Sequence, residues 1–461
     1  MQQELAQRPI VCYFLGLCAG LSCGFSPWNG AVVLVFVPLL WRQRSLLVLL
    51  AAFLVGVLAR PQPQPLVKVS GGFFAGQALV VTVPSTVRSG LATVVESEGK
   101  RYRLFLPASS PVNLGDIVKL RGAIVPLKPE AKPQKLEVAS LRLESPVQTV
   151  HQGFWGWKAA MQVRRSFVAF IETNCQPVLV GLLNALSFNV TGDLGEDLNQ
   201  SLRRTGTMHI VSASGLHVAI VSGALAWLLL MAPVPRWAQL LVLVGLLAFY
   251  AAAAGFHPPM IRAVAMVMVA SFAYAFGREP DALSALALVG TCNLLWEPEA
   301  VAALGFQLSY LAVGFLVLFG TLPRIPDGLV ARISSVARSL VRTSVVATVA
   351  TAPLLAYAFG EIPVLSVLSN LLVLPFLMVV VVGSLVAWIL SGVASVGVFV
   401  LRFLVEPVGG WILAVIEKIG SWDASVVSVP PFSPLWVVFV YFCLAALFAP
   451  IKRPADTLTQ W

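Results

Sequence analysis

Residues 208–220 read MHIVSASGLHVAI, which places His209, Ser212, Ser214, Gly215 and His217 at the head of an apolar run that a bilayer would accept. A polar group in hydrocarbon costs free energy unless something receives it. On one continuous helix, 210, 214 and 217 share a face, while 209, 212 and 216 share another. Ser-Ala-Ser-Gly also permits close backbone approach or a local unwinding. In either form these groups are expected to line an interior crevice, unless they serve as hydrogen bonds between helices. Arg262 follows HPPMI and sits about a turn inside the apolar run AVAMVMVASFAYAF. An arginine there needs a carboxylate, carbonyls, water or a phosphate. Gln307 in GFQLSY and Asn370 in VLSNLLVLP add polar groups mid-run, which also suit helix–helix packing. A polar crevice can pass a polyanion, either a nucleic acid or a cell-envelope precursor. The rival chemistry is an intramembrane serine hydrolase, with Ser214 as nucleophile and His257 as base, but no oxyanion arrangement supports it. The four histidines form no cluster with ligand spacing, so neither metal nor cofactor is expected. The six cysteines lie mostly in apolar runs and make no CxxC pair, as buried small hydrophobes would. The chain is not expected to be an enzyme.

These residues need a scaffold, and the composition names it. The chain has 461 residues, 58% hydrophobic and 11% charged, with mean hydropathy +0.86. That excludes an ordinary soluble domain, where about a quarter of residues are charged. The expected fold is a polytopic α-helical membrane protein of about twelve transmembrane helices with a small extracytoplasmic, OB-like β-barrel. Residues 1–59 hold the N-terminal helices, with apolar runs near 9–25, 30–41 and 45–59. Residues 60–150 are polar and Pro-rich, with β-branched pieces such as ALVVTV, RYRLFLP, DIVKLRGAIV and KLEVASLRLE at barrel-like spacing. Residues 151–208 hold an interfacial amphipathic helix, with a polar edge at Lys158, Arg164 and Arg165, and a solvated connector. Residues 209–450 hold nine further apolar runs, the one at 393–418 broken by Glu406 and Pro407. Residues 451–461 form a short cytoplasmic tail.

Basic residues in the short loops set the orientation. With the N-terminus cytoplasmic, Arg8, Arg42, Arg44, Arg236, Arg278, Arg324, Arg332, Arg338, Arg342, Lys452 and Arg453 all fall inside. The opposite loops FHPP, EPEA and FGEIP carry no Lys or Arg, and Lys418 is the main exception. The outer segment 60–150 is itself basic, with twelve Lys or Arg against six Asp or Glu. A five-stranded barrel with a basic face is a recurrent binder of single-stranded nucleic acid. Its candidate contacts are Lys100, Arg101, Tyr102 and Arg103 in KRYRLFLP, with Lys119 and Arg121; the same residues also suit a solvated face near anionic lipid heads.

Several stretches together resemble the ComEC family of competence proteins, which carry DNA across the bacterial inner membrane. Its core motif stands here as HIVSASGLHV, matching His209, Ser214, Gly215, Leu216 and His217, with LRRTGTMH upstream. GFHPPMIRA matches at Gly255, Phe256, Arg262 and Ala263. NLLWEPEAVAALGFQLS matches at Asn293, Pro298, Gly305, Phe306, Gln307, Leu308 and Ser309. TAPLLAYAFGEIPVLSVLSNLLVLP matches at Pro353, Phe359, Gly360, Asn370 and Pro375. Asn184, in GLLNALSFN, stands where the family usually has glycine. The resemblance implies a channel for single-stranded DNA in the plasma membrane, with His209, Ser214, Gly215, His217, Arg262, Gln307 and Asn370 along the path. It further implies a periplasmic DNA receptor, a cytoplasmic ATPase and a possible homo-oligomer. Many members end in a metallo-β-lactamase-like domain; no HxHxDH occurs here, so any nuclease is expected to be a separate chain or absent.

Overall fold

The computed structural model describes residues 9–22, 72–151 and 154–448, apart from short breaks at 82–84, 88–89, 98–99, 108–109, 111, 114, 127–136, 144–146, 193, 213–214, 232, 320–327 and 393–394. The apolar runs expected at 30–41 and 45–59, the tail at 451–461, and Ser214 lie outside the described residues.

After helix α1 (Pro9–Ser22) come seven strands: β1 (Gly72–Val80), β2 (Ser85–Val87), β3 (Gly90–Ser97), β4 (Lys100–Leu106), β5 (Ile117–Pro126), β6 (Glu137–Leu143) and β7 (Gln148–His151). Period-two alternation sends Tyr102, Leu104 and Leu106 of β4 inward, beside Val118 and Leu120 of β5, and leaves Phe105 outward. The pairing path runs β1–β3–β4–β6–β5, and β5 pairs with β1 again, so the sheet curls round on itself. Within the circuit only β4–β6 is parallel.

The helical part begins with α2 (Trp155–Asn174), α3 (Pro177–Phe188), α4 (Glu196–Arg204), α5 (Met208–Val211), α6 (Gly215–Leu230), α7 (Arg236–Ala253) and α8 (Pro258–Ala275). It continues through α9 (Ala282–Trp296), a 3₁₀ turn (Pro298–Ala302), α10 (Leu304–Phe319), α11 (Leu329–Phe359), β8 (Glu361–Pro363), α12 (Ser366–Leu390), α13 (Val396–Gly420), β9 (Val426–Ser428) and α14 (Pro434–Phe448). Among the described residues, five helices are long and apolar enough to cross a bilayer: α7, α8, α11, α12 and α13. The apolar helices α3, α6, α9 and α10 are shorter. The run expected at 209–231 loses its first turns to the polar break described below. The run expected at 302–322 starts behind a 3₁₀ turn.

The run expected to break at Glu406 and Pro407 stays one helix. A π turn at Leu401–Val405 immediately precedes them. Proline lacks an N–H and crowds the carbonyl four residues earlier, and a widened turn accommodates both. β8 and β9 pair antiparallel through Glu361 with Ser428 and Pro363 with Val426, joining two loops that the charge pattern assigned to one side.

The largest core is all helical. It draws Phe167 and Ile171 from α2, Leu182 and Leu183 from α3, Val218 from α6, Leu247 from α7, Val373 and Val380 from α12, and Ile412 from α13. The α2–α3 pair folds back at Cys175 and Gln176, so the Phe167 ring meets Phe188 at 4.9 Å. The stretch 189–206, expected as a solvated connector, is partly packed. Leu202 is buried, and Gly420 of α13 presses on Ser201, where an added Cβ would lie 2.9 Å from the Ser201 Cβ.

Candidate functional site

The motif at 205–217 folds as a broken helix rather than one continuous span. Thr205 and Thr207 are buried, and their hydroxyls share a hydrogen bond of 2.7 Å. Gly206 between them has φ +69°, and a Cβ there would stand 2.8 Å from Ser366 Cβ and 3.0 Å from Pro363 Cγ. Glycine meets both demands at once. The short α5 then ends at Ser212, whose backbone is extended (φ −71°, ψ 137°) and whose N–H donates to the Met208 carbonyl. The chain resumes as helix at Gly215.

The break decides where the polar groups go. His209 Nδ1 lies 2.9 Å from the Gly206 carbonyl, so Nδ1 carries the proton and donates, which leaves Nε2 of the neutral ring an acceptor. The Ser212 hydroxyl donates to the His209 carbonyl at 3.3 Å. His209, Ser212 and Gly215 are exposed, whereas His217, on the second turn of α6, is buried. A Cβ on Gly215 would meet Ala263 Cβ at 3.5 Å, so α6 and α8 approach closely beside Arg262.

Arg262 is received by the protein itself. It is buried, its Nη2 donates to the Gly305 carbonyl at 3.1 Å, and its guanidinium lies 5.7 Å from the Phe306 ring centre and 5.8 Å from that of Tyr310. Gln307 donates to the Val301 carbonyl at 3.0 Å and so ties α10 to its own 3₁₀ turn. Asn370 is buried on α12, one turn beyond the Ser366 that meets Gly206. The structure thus places the 206–217 break beside Ser366 on one flank and beside Ala263, next to Arg262, on the other. Gln307 stays with the 3₁₀ turn before α10.

Sequence reasoning missed the role of Gly206 and its threonine neighbours within LRRTGTMH. It also passed over Glu406 as a mere break. This carboxylate is buried in α13, accepting from the Gln176 N–H at 3.1 Å and from Gln176 Nε2 at 3.2 Å, and so clasps the α2–α3 turn. Burial first, and the Glu406 charge second, push the neighbouring Cys175 thiol up to about 12.

On the sheet, Lys119 and Arg121 of β5 are exposed, as expected of surface contacts. Tyr102 is not on that surface. It packs inside against Phe74, with ring centres 5.5 Å apart. The outward aromatic of β4 is Phe105, 46% exposed, two residues from Arg103. Lys100 and Arg101 occupy the start of the same strand.

A helical membrane protein with a basic, curled sheet ahead of it and a polar helix break within it defines a narrow class. The competence protein family model matches residues 186–454, more than half of the chain, and the chain belongs to that family, the one its motifs resemble. Competence protein ComA of Neisseria gonorrhoeae is 31% identical over 282 residues, 58% of this chain and 38% of that protein. ComE operon protein 3 of Bacillus subtilis (strain 168) is 24% identical over 301 residues, 65% of this chain and 38% of that protein. The uncharacterized protein YcaI of Escherichia coli (strain K12) is 24% identical over 237 residues, 49% of this chain and 31% of that protein. The chain therefore spans well under half the length of these relatives. No solved structure matches it.

Proposed function

We propose that this chain is the plasma-membrane passage for single-stranded DNA in natural transformation. The observation that carries the reading is the break at 206–215. Within the family-matched region it leaves His209, Ser212 and Gly215 each exposed among apolar helices. A strand crossing a bilayer needs a wet path with donors and no deep trap. With the His209 N–H given to the Gly206 carbonyl and the Ser212 hydroxyl given to the His209 carbonyl, these groups meet the path as acceptors, which hold the water that wets it without adding a fixed charge. In this reading His209, Ser214, Gly215 and His217 line the path, while Arg262, Gln307 and Asn370 hold its walls. The curled sheet acts as an extracytoplasmic OB-like barrel that receives the strand through Arg103, Phe105, Lys119 and Arg121, with Lys100 and Arg101 at its rim. About twelve spans, a cytoplasmic N-terminus, a periplasmic receptor, a separate nuclease and a cytoplasmic ATPase complete the proposal.

The test follows labelled duplex DNA into the native host for wild type, a deletion strain and His217→Ala. Loss of cytoplasmic single strand in both mutants, with surface binding retained, is the expected result. Undiminished uptake in the deletion strain would refute the reading.

A further inference from the structure

Helix α2 carries Lys158, Gln162 and Arg165 at spacings of four and three, which puts all three on one face. The opposite face buries Ala160, Met161, Arg164, Phe167 and Ile171 against the helical core. The polar face is open to solvent on one side only. It forms one wall of a cavity of about 530 Å³ whose other wall is the sheet, with Asn113 and Asp116 from the turn before β5 and Thr149 from β7. Pockets that hold small ligands measure about 300–1,000 Å³.

The lining has a definite chemistry. Two side chains are cationic, and one of them, Arg165, is exposed and offers a planar fork of donors suited to phosphate. Gln162 and Thr149 add neutral donors. The one carboxylate among the described lining residues, Asp116, is buried, and its Oδ2 accepts the Asn113 N–H at 2.8 Å, which holds the turn. The cavity also continues a basic surface. Thr149 pairs with Val118 and Gln148 pairs with Lys119, so the exposed Lys119 stands on the strand adjoining the cavity wall.

We propose that this cavity is a phosphodiester site through which a single strand passes from the sheet to the membrane helices. The inference rests on the strand-uptake reading above and adds the handover point.

The experiment uses the full chain in lipid nanodiscs and a fluorescein-labelled oligothymidylate, with binding followed by anisotropy across a salt series. Each phosphate contact on a single strand contributes about 0.7 to the slope of log affinity against log salt. The double substitution Lys158→Gln with Arg165→Gln is therefore expected to flatten the slope by about 1.4 and weaken binding. Arg278→Gln, an exposed arginine outside the cavity, should leave the slope unchanged. A photo-crosslinker in place of the exposed Gln162 gives a second reading that does not depend on removing charge, and it should capture the oligonucleotide. A double variant with wild-type slope, or a crosslinker that captures only phospholipid, overturns the cavity assignment and leaves strand uptake standing. Failure of the wild-type chain to bind the oligonucleotide at low salt would remove both.

Discussion

Gly206→Ala is the most direct test of the broken-helix site. Two separate costs act at this position. The backbone has φ +69°, which an L side chain adopts at a cost of about 1–2 kcal/mol. The new methyl would also lie 2.8 Å from Ser366 Cβ and 3.0 and 3.1 Å from the Pro363 ring, so α5 or the start of α12 must move. Overpacking of this kind costs about 1–3 kcal/mol. The sum is about 2–5 kcal/mol, read as loss of stability in reversible denaturant unfolding of the purified protein. Ser366→Gly separates the two costs. In the double variant the Ser366 Cβ clash is gone, while the φ cost and the Pro363 contacts remain. A favourable coupling of about 0.5–2 kcal/mol is therefore expected in the double-mutant cycle, with recovery only partial. DNA uptake should fall further than stability alone explains, because the Gly206 carbonyl that orients His209 is displaced. Gly223→Ala is the control: nothing lies within 4 Å of a Cβ there, and alanine inside α6 should stabilise by about 0.5–1 kcal/mol. If Gly206→Ala matches wild type in stability and uptake, the described geometry of the break is wrong.

Tyr310→Phe should be neutral or slightly stabilising, because the Tyr310 hydroxyl is buried with no partner among the described residues while its ring still faces Arg262; calorimetry showing a large loss would mean that the hydroxyl has a role in the path. Phe105→Ala should weaken oligothymidylate binding by about 1–3 kcal/mol without changing the salt slope, the signature of a lost stacking surface. Glu406→Ala removes both acceptors of Gln176 and should destabilise by about 1–3 kcal/mol, with Glu406→Gln costing less. The Cys175 thiol, held near 12, should label slowly with a maleimide at pH 8, where only about 10⁻⁴ of it is thiolate. Its rate should rise about tenfold per pH unit below that value, and Glu406→Gln should speed it by removing the carboxylate's share; an unaffected rate would separate the two side chains.

What could be read from the chain was whatever has a local period. The strands of RYRLFLP and DIVKLRGAIV appear as β4 and β5, and strict alternation, applied one step further, would have turned Tyr102 inward and Phe105 outward. The polar break was readable too, because Ser-Ala-Ser-Gly next to two histidines has few stable homes in an apolar run. Its cause was not readable. Gly206 is required by Ser366 and Pro363, far along the chain, and no local signal announces that contact. Arg262 behaves in the same way. In the sequence it is a charge in need of a carboxylate, carbonyls, water or a phosphate, and the fold supplies the Gly305 carbonyl together with two aromatic faces from α10. That changes what the residue can do. A guanidinium held by two rings and a carbonyl keeps α8 against α10, although its buried Nε has no partner among the described residues. A path for a polyanion then depends less on buried fixed charge than on the imidazole and hydroxyl groups beside it, which hold the water through which phosphates can be received and released again.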